Sequence, residues 1–242
     1  MPALKSWPKG KSRGLLNGLR RLAYRSPLYG ITLVGRAPNR LFGTPPELMP
    51  GDAAAGQIIL AGNLMYGGQR WPLADMAHLP KQASDHWRAY VHSFAWLSEL
   101  RAVGNNPSRE LARNHIARWI ESYTRWSPVG WRADVLGQRL THWLTHFGFF
   151  AGDAPQEFYD LFFAEVVKQA RHLNRTIMKS VTGPGRIQGL KGLIYCGVAL
   201  PGYENYLHSG LRHLENELDR QIFPDGGHYS RNPHIHMEVL AD

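Results

Sequence analysis

The amino-acid sequence predicts an all-α fold in which antiparallel helical hairpins are stacked side by side. From residue 85 onward, apolar residues recur every three or four positions, which is the period of an amphipathic helix. A unit of helix, short break, helix and longer break, roughly 45–50 residues long, occurs three times. Because short connections make consecutive helices antiparallel neighbours, the hairpins form either a helical solenoid or an α/α toroid.

The composition is that of a globular protein. The 242 residues suffice for one large domain or two small ones, and 43% of them are hydrophobic whereas 19% are charged. These values exclude a disordered chain, a coiled coil and a collagen-like fibre. Eight tryptophans suit a packed core or a groove for flat ligands such as sugars. The single cysteine, Cys196, excludes an intramolecular disulfide framework and is expected in the core, and we expect no cofactor.

No targeting segment is expected. No apolar run approaches the ~18 residues that a membrane span needs. The basic start of the chain leads to no apolar stretch with a small-residue cleavage site, so no secretory signal is expected. These features favour a cytoplasmic or membrane-surface location over secretion.

Charge divides the chain into a basic N-terminal arm with an irregular lead-in, residues 1–80, and a helical domain, residues 81–242. Nine of the 28 basic residues lie in the first forty positions, and no acidic residue precedes Glu47. Residues 41–242 hold 19 basic and 19 acidic residues, so the net charge of +9 belongs to the first forty residues of the arm. The rest of the chain therefore has no excess of positive charge, and nucleic acid is not an expected partner.

One helix is predicted inside the arm. Residues 12–26 carry leucines at helical spacing, with Arg20, Arg21 and Arg25 around them. Such a helix either lies on an anionic membrane surface, with residues 1–40 as the contact, or packs its leucines on the body while its arginines are solvated. Residues 61–72, with Gly67 and Gly68 at their centre, are typical of a turn and a short strand.

Six further helices are predicted from the apolar periodicity and from the glycine and proline breaks, over residues 85–100, 111–123, 134–149, 158–177, 190–198 and 207–222. A seventh begins at Asn232 and Pro233, because asparagine caps a helix and proline fits its first turn. No stop signal follows this start, so we expect the helical domain to be truncated before the end of its architecture.

The densest polar cluster lies at residues 225–236, in a turn that leads into the last predicted helix. Arg231 and His228, with His234 or His236 and with Tyr229 as a proton donor, are candidates to line a groove for a carboxylate. The alternative is a capped turn whose histidines satisfy the local backbone. No metal site is expected, because His234 and His236 are two positions apart and point about 200° away from each other on a helix.

A second polar group combines His172, Asn174 and Arg175 with Arg186 and Gln188 across a glycine break. If the helical hairpins lie side by side, these helix ends meet at one rim of the domain. The alternative is ordinary solvation of helix ends.

Four runs of the sequence resemble bacterial heparinase II/III-like proteins, and the likeness covers most of residues 58–242. The runs are 85–100, 169–175, 190–202 and 221–233, the last of which contains Pro-Asp-Gly-Gly-His. The resemblance implies an incomplete α/α toroid behind an irregular basic N-terminal arm, followed in the family by a β-sandwich domain. It also implies an acidic polysaccharide as partner and cleavage by β-elimination in the cleft between the domains.

The resemblance further implies which residues act on a uronate. The carboxylate is neutralised, a base removes the neighbouring proton, and a Tyr or His protonates the leaving oxygen. A Tyr-His pair is common in the family where this chain has Ile235 and His236, and its Asn-His motif falls near residues 181–188. The implied catalytic residues are His236, His234 and Tyr229. The implied substrate-binding residues are Arg231, His228, Asn232, Arg186, Gln188 and Asn174. A non-catalytic toroid that binds glycans or a partner is the alternative.

Overall fold

The computed structural model describes residues 11–73, 79 and 83–242, and in these residues it contains twelve α-helices and one β-hairpin. Residues before 84 form α1 Lys11–Arg25, α2 Pro27–Leu33, α3 Ala53–Leu60, β1 Asn63–Tyr66 and β2 Gln69–Pro72. The remaining helices are α4 Asp85–Ser93, α5 Leu97–Val103, α6 Asn106–Tyr123, α7 Ala133–Thr145, α8 Phe147–Ala151, α9 Gln156–Ser180, α10 Pro184–Ala199, α11 Glu204–Gln221 and α12 Pro233–Ala241. None of the described helices is long and apolar enough to cross a membrane.

Helices α7 and α10 pack in parallel, in direct backbone contact through glycines. A Cβ atom added to Gly137 would lie 2.5 Å from the Cα atom of Gly189, and Gly185 lies against Asp134 at the start of α7. Helix α11 returns antiparallel to α10, since Gly197 faces Leu207 and Gly210 faces Ile194. The connections at residues 124–132, 181–183 and 222–232 therefore lie at one end of the domain, and we call this end the rim.

The hydrophobic core lies among these helices and is rich in aromatic rings. Phe94, Trp96, Trp119 and Trp143 are fully buried and contact one another, with ring centroids 5.0–6.3 Å apart. Edge-to-face and stacked arrangements of this kind add to the burial of apolar area. The all-α prediction of stacked helical hairpins is confirmed.

The helix predicted over residues 85–100 is wrong in one respect, because it is divided into α4 and α5. Phe94 ends α4 in the left-handed conformation, with φ 57°. A residue in this conformation interrupts the helical hydrogen bonds, and the complete burial of its ring compensates for the strain. The helix predicted over 134–149 is divided in the same way, at His146 between α7 and α8.

A buried polar group joins α7 to α9 and α4 inside the core. Arg139 is fully buried, and it donates from Nε to Gln169 Oε1 at 2.8 Å and from Nη1 to the His92 carbonyl at 2.8 Å. Its guanidinium lies 4.0 Å from the centroid of the Trp119 ring. Burial lowers the pKa of Arg139 to about 9, and the nearby carboxylate of Glu165 opposes this effect. These contacts fix α7 against α9 below the rim.

The lead-in before residue 80 contains more regular structure than predicted. The helix predicted at 12–26 and the strand and turn at 61–72 are confirmed as α1 and as the β1–β2 hairpin. The helices α2 and α3 were not predicted, and a side-chain cap starts each of them, Ser26 for α2 and Asp52 for α3. The boundary between an arm at 1–80 and a helical domain stays a prediction, and residues 1–10 lie outside the described part.

The arm lies against the body through residues other than the described leucines of α1. Leu33 is buried, the Tyr29 hydroxyl is 2.7 Å from His172 Nδ1, and the Phe42 amide donates to the Ala199 carbonyl at 2.9 Å. The apolar side chains of Leu19, Leu22, Leu28, Ile31 and Val34 are instead 58–73% exposed. The interpretation that the arm packs its leucines on the body is therefore wrong for the described leucines of α1.

Candidate functional site

A pocket at the rim lies between α1, the α6–α7 connection and the end of α9. The cavity has a volume of about 190 Å³, and we call it the basic–aromatic pocket. It is lined by Arg20, Arg21, Tyr24, Trp126, Pro128, Trp131, Arg132, Ala133, His172, Thr176, Lys179 and Ser180. Three separate segments of the sequence thus supply its walls.

The charge of the basic–aromatic pocket is positive. Arg20, Arg21, Arg132 and Lys179 line it, and no acidic side chain does so among the described residues. Arg132 is held by Asp134 in a two-pronged ion pair, with N–O distances of 2.7 and 2.8 Å. Arg20, Arg21 and Lys179 are exposed and point their charge to solvent at the pocket mouth. The pocket can therefore attract and hold an anion.

Aromatic rings form the other wall of the basic–aromatic pocket. The Tyr24 ring lies 5.9 Å from Trp126 and 5.2 Å from His172, and Trp131 lies 5.1 Å from His172 in an edge-to-face contact. Burial lowers the pKa of His172 to about 4, so its ring is neutral at pH 7. Burial also raises the pKa of Tyr29, its hydrogen-bond partner, to about 12. This wall is uncharged and suits a flat or ring-shaped ligand.

A second region of the rim consists of the predicted turn and the polar residues bonded to it. We call it the turn cluster, and it comprises residues 221–236 together with Glu217 and Arg186. His228 is buried, with Nε2 3.0 Å from Gln221 Oε1 and Nδ1 2.7 Å from Ser230 Oγ. Gln221 donates to Glu217 Oε1 at 2.9 Å, and Glu217 Oε2 accepts from Arg186 at 2.8 Å. Because the Gln221 amide donates to Glu217, its oxygen faces His228 and accepts the Nε2 proton.

Two predicted substrate-binding residues of the turn cluster stabilise the turn itself. Arg231 has φ 52°, and its Nη1 lies 3.1 Å from Asp225 Oδ2 while its guanidinium covers Phe223 at 4.9 Å. Asn232 caps α12 as predicted, since its Oδ1 accepts from the amides of His234 and Ile235 at 2.9 and 3.3 Å. Arg231 keeps a side-chain exposure of 67%, so an anion can still reach it.

The predicted catalytic residues occupy different positions around the turn cluster. Tyr229 is half exposed, and its hydroxyl lies 3.2 Å from the place of a Cβ atom on Gly183, in the α9–α10 connection. His234 is exposed and lies 3.3 Å from Glu238 of its own helix. His236 is half-buried, and its Nδ1 is buried without a hydrogen-bond partner among the described residues. The structure thus places Tyr229 on the rim and the two histidines on α12.

The predicted residues of the second polar group are not brought together. Arg186 donates to Glu217 and to the Val181 carbonyl, so it joins the turn cluster to α10. Gln188 is half-buried and hydrogen-bonds Asp242, whereas Asn174 is exposed on α9. Their role in substrate binding stays a prediction. His172 belongs to the basic–aromatic pocket instead.

Sequence reasoning missed most of the basic–aromatic pocket. Its missed members are Arg20, Arg21, Tyr24, Trp126, Trp131, Arg132 and Lys179. The loop at 126–132 carried a signal, because two tryptophans and an arginine are unusual in a connection that serves only as a turn. The basic helix was noticed, but its position over this loop depends on contacts across more than 100 residues, such as Tyr29 with His172.

Comparison with known proteins identifies the family of the helical domain. The family model described as Heparinase II/III N-terminus matches residues 70–242. FtsZ-localized protein C of Caulobacter vibrioides is 32% identical over 215 residues, which cover 85% of this chain and 36% of that protein. A heparin-sulfate lyase of Bacteroides thetaiotaomicron is 24% identical over 193 residues, which cover 73% of this chain and 26% of that protein. The chain thus spans about a third or less of the length of these curated relatives.

Two solved structures share the fold. A heparinase III with methylated lysines superposes with a TM-score of 0.60 at 18% identity, over 97% of this chain and 42% of that one. Heparan sulfate lyase HepC from Pedobacter heparinus gives a TM-score of 0.63 at 17% identity, over 93% of this chain and 38% of that one. With a family model that matches well over half of its residues, the chain belongs to the Heparinase II/III N-terminus family.

Proposed function

We propose that the chain is the toroid part of a heparinase II/III-like polysaccharide lyase and that it binds an acidic, uronate-containing glycan at the rim. The basic–aromatic pocket is the observation that carries this proposal. It combines four cationic side chains with two tryptophans, and no acidic residue lines it among those described. Two of the similar proteins are named as lyases of heparin-type glycans, which supports the same class of ligand.

Both halves of the pocket contribute to binding in this proposal. Arg20, Arg21 and Lys179 donate charge-assisted hydrogen bonds to the carboxylate or sulfate groups of the glycan. The partly exposed face of Trp126 packs against the apolar face of a sugar ring, which orients the chain along the rim, and the buried Trp131 supports this wall from behind. The rim continues from Ala133 across Gly185 and Gly183 to Tyr229, so a glycan of several sugars can extend from the pocket to the turn cluster.

The proposed reaction is a β-elimination. A cation neutralises the uronate carboxylate, a base takes the proton from the adjacent carbon, the electron pair of that C–H bond forms a C=C bond, and the glycosidic C–O bond breaks. The leaving oxygen then takes a proton. We assign Tyr229 to this donation because its hydroxyl is accessible on the rim, with His234 or His236 as the base. A β-sandwich domain of the same protein would close the opposite side of the cleft.

The test measures binding and elimination separately in the full-length protein. Arg20→Ala/Lys179→Ala should weaken the affinity for a heparin tetrasaccharide by about 30- to 150-fold, because each of the two lost charge-assisted contacts contributes on the order of 1–1.5 kcal/mol. Arg118→Ala/Arg212→Ala removes the same charge from exposed positions on α6 and α11 and should leave the affinity within about twofold. Equal loss in both variants would contradict the pocket as the site.

Elimination is read from the ultraviolet absorbance of the unsaturated uronate product. Tyr229→Phe should abolish product formation while tetrasaccharide binding persists. Binding without any product in the wild-type full-length protein would favour the alternative, a non-catalytic toroid. The name of the Caulobacter relative, FtsZ-localized protein C, describes a location and not a reaction, and it is compatible with a non-catalytic toroid.

A second candidate function is attachment to an anionic membrane through the arm. Both α1 and α2 carry exposed apolar side chains, and Arg20, Arg21 and Arg25 are exposed on α1. A bilayer would bury these apolar side chains while the arginines contact its headgroups. Binding to vesicles rich in phosphatidylglycerol should fall as salt rises, and Leu22→Asp/Ile31→Asp should abolish it. Unchanged vesicle binding by this variant would contradict the candidate.

A further inference from the structure

A second basic cavity lies where the arm crosses α9 and the α10–α11 connection. It has a volume of about 880 Å³ and opens at the end of the domain opposite to the rim, and we call it the arm groove. We propose that the arm groove binds the phosphate of an anionic phospholipid headgroup. This inference rests on the second candidate function, membrane attachment, and not on glycan binding.

Charge is the first argument for an oxyanion in the arm groove. Three guanidinium groups line it, those of Arg36 and Arg40 on the arm and that of Arg171 on α9. Among the described residues that line the groove, none is acidic. Arg36 and Arg40 are exposed, and among the described residues neither side chain forms an ion pair that an anion would have to break. Guanidinium groups are the preferred ligands of phosphate oxygens because their N–H groups bind in pairs.

Preorganisation is the second argument, because the groove is built before any ligand enters. Tyr203 donates its hydroxyl to the Arg36 carbonyl at 3.0 Å, which fixes the arm above the α10–α11 connection. A Cβ atom on Gly35 would lie 3.0 Å from both Arg171 Nη1 and Tyr203 Oη, so glycine lets the arm come this close. Arg171 Nε is buried and has no hydrogen-bond partner among the described residues. The cationic side chains therefore surround a space that the fold keeps open.

The surroundings of the arm groove favour a lipid over a glycan as the source of the phosphate-like anion. Ile31 and Val34 precede the groove and are 67% and 71% exposed, and Phe42 lies at its edge with 65% exposure. A glycan that occupied the groove would leave these three side chains in water. A bilayer that delivered a headgroup to the groove would bury them, which adds a hydrophobic contribution to the ionic one.

The experiment uses the full chain and two probes, glycerol phosphate as a soluble headgroup and vesicles of phosphatidylglycerol with phosphatidylcholine vesicles as reference. Arg36→Ala/Arg40→Ala should weaken glycerol phosphate binding by about 10-fold or more, since two charge-assisted contacts are lost. It should weaken binding to phosphatidylglycerol vesicles to a similar degree. Arg118→Ala/Arg212→Ala, which removes the same charge from other exposed positions, should retain both.

A further variant distinguishes the headgroup site in the arm groove from membrane attachment through the exposed apolar residues of the arm. Ile31→Asp should lose vesicle binding but keep the wild-type affinity for glycerol phosphate, because Ile31 does not line the arm groove. If glycerol phosphate binds the wild type and Arg36→Ala/Arg40→Ala equally, or binds neither, the headgroup site is refuted even where vesicles bind. If a sulfated heparin disaccharide displaces glycerol phosphate at lower concentration than phosphatidylglycerol vesicles do, the lipid is refuted as the source.

Discussion

The basic–aromatic pocket and the turn cluster lie on the same rim and contain similar residue types, but they use them in opposite ways. In the turn cluster, His228, Gln221, Glu217 and Arg186 bond to one another and are buried or half-buried. In the basic–aromatic pocket, Arg20, Arg21 and Lys179 are exposed around an open cavity. The polar groups of the turn cluster stabilise the fold, whereas those of the basic–aromatic pocket are free to contact a ligand.

This difference shows that a dense run of polar residues in a sequence does not by itself mark a binding site. Residues close together in the chain can satisfy one another, as Asp225 and Arg231 do across six positions at 3.1 Å. Residues brought together from distant segments, such as Arg20 and Lys179, line an open pocket instead, and neither forms an ion pair with another of the described residues. The turn residues therefore have two alternative roles, binding a carboxylate or stabilising the turn itself. Substitutions can distinguish these roles.

Acidification should have the largest effect on the free energy of unfolding. It therefore limits the pH range in which the turn cluster and the basic–aromatic pocket can be compared. Burial lowers the pKa of five histidines to about 3 or 4, namely His92, His115, His142, His146 and His172. In the unfolded chain these groups titrate near pH 6.5, so the unfolded state takes up more protons below that pH. The free energy of unfolding should then fall by about 1 kcal/mol per pH unit for each histidine, and buried carboxyls such as Glu165 oppose only part of this loss.

Urea denaturation followed by tryptophan fluorescence at pH 7.5, 6.5 and 5.5 measures this loss. His142→Gln should make the pH dependence less steep, whereas the exposed His86→Gln should not change it. A free energy of unfolding that is constant from pH 7.5 to 5.5 would contradict the burial of neutral histidines.

Glu217→Ala is the next largest change and tests whether the turn cluster stabilises the fold. The Glu217 side chain is 5% exposed and pairs with Arg186, whose side chain is 11% exposed. Removing the carboxylate leaves a largely buried guanidinium unpaired, which should lower the free energy of unfolding by about 3 kcal/mol. The control is Glu215→Ala, an exposed position on the same helix, with little expected loss. Equal stability of the two variants would mean that the Arg186–Glu217 pair does not stabilise the fold.

Trp126→Ala tests the aromatic wall of the basic–aromatic pocket. We expect an affinity for heparin tetrasaccharide about 5- to 10-fold lower, because the ring contact contributes on the order of 1 kcal/mol. Phe223→Ala removes a partly exposed ring from the turn cluster and serves as the matched control. An equal effect of both substitutions in calorimetric titrations would show that the glycan covers the two regions alike.

Arg231→Ala should have the smallest effect on stability. Arg231 pairs with Asp225 on the surface, where water and salt screen the interaction. The thermal midpoint should stay close to that of the wild type. The tetrasaccharide affinity decides the role of Arg231. A loss of affinity comparable to that of Trp126→Ala would show that the turn cluster is part of the binding site. An unchanged affinity would show that Arg231 has a structural role only.

The helices were predictable from the sequence because the burial of one helix face requires apolar residues at every third or fourth position. The stripe of Trp87, Val91, Phe94 and Leu100 correctly located α4 and α5, although the break at Phe94 escaped prediction since a left-handed phenylalanine has no sequence signature. The cap at Asn232 was predicted from local chemistry and is confirmed.

The basic–aromatic pocket could not be predicted in the same way. Its walls come from Arg20, Trp126 and Lys179, and their meeting depends on how α1 docks on the body. That docking uses single contacts, such as the edge-to-face contact of the Tyr24 ring with His172, which leave no periodic pattern in the sequence. The resemblance to a family indicated the toroid correctly, yet it directed attention to the turn and not to this pocket.

The glycine contact between α7 and α10 sets the width of the rim. Side chains normally keep packed helices about 8–10 Å apart, and glycines allow a closer approach. The first turns of α7 and α10 carry Arg132 and Ala133 on one side and Gly183 and Gly185 on the other, so their spacing follows from Gly137 and Gly189 deeper in the domain. A methyl group at Gly137 would meet the backbone of Gln188 and Gly189 and act as a spacer, so it would widen the proposed glycan path at the rim while every residue of the basic–aromatic pocket stays unchanged.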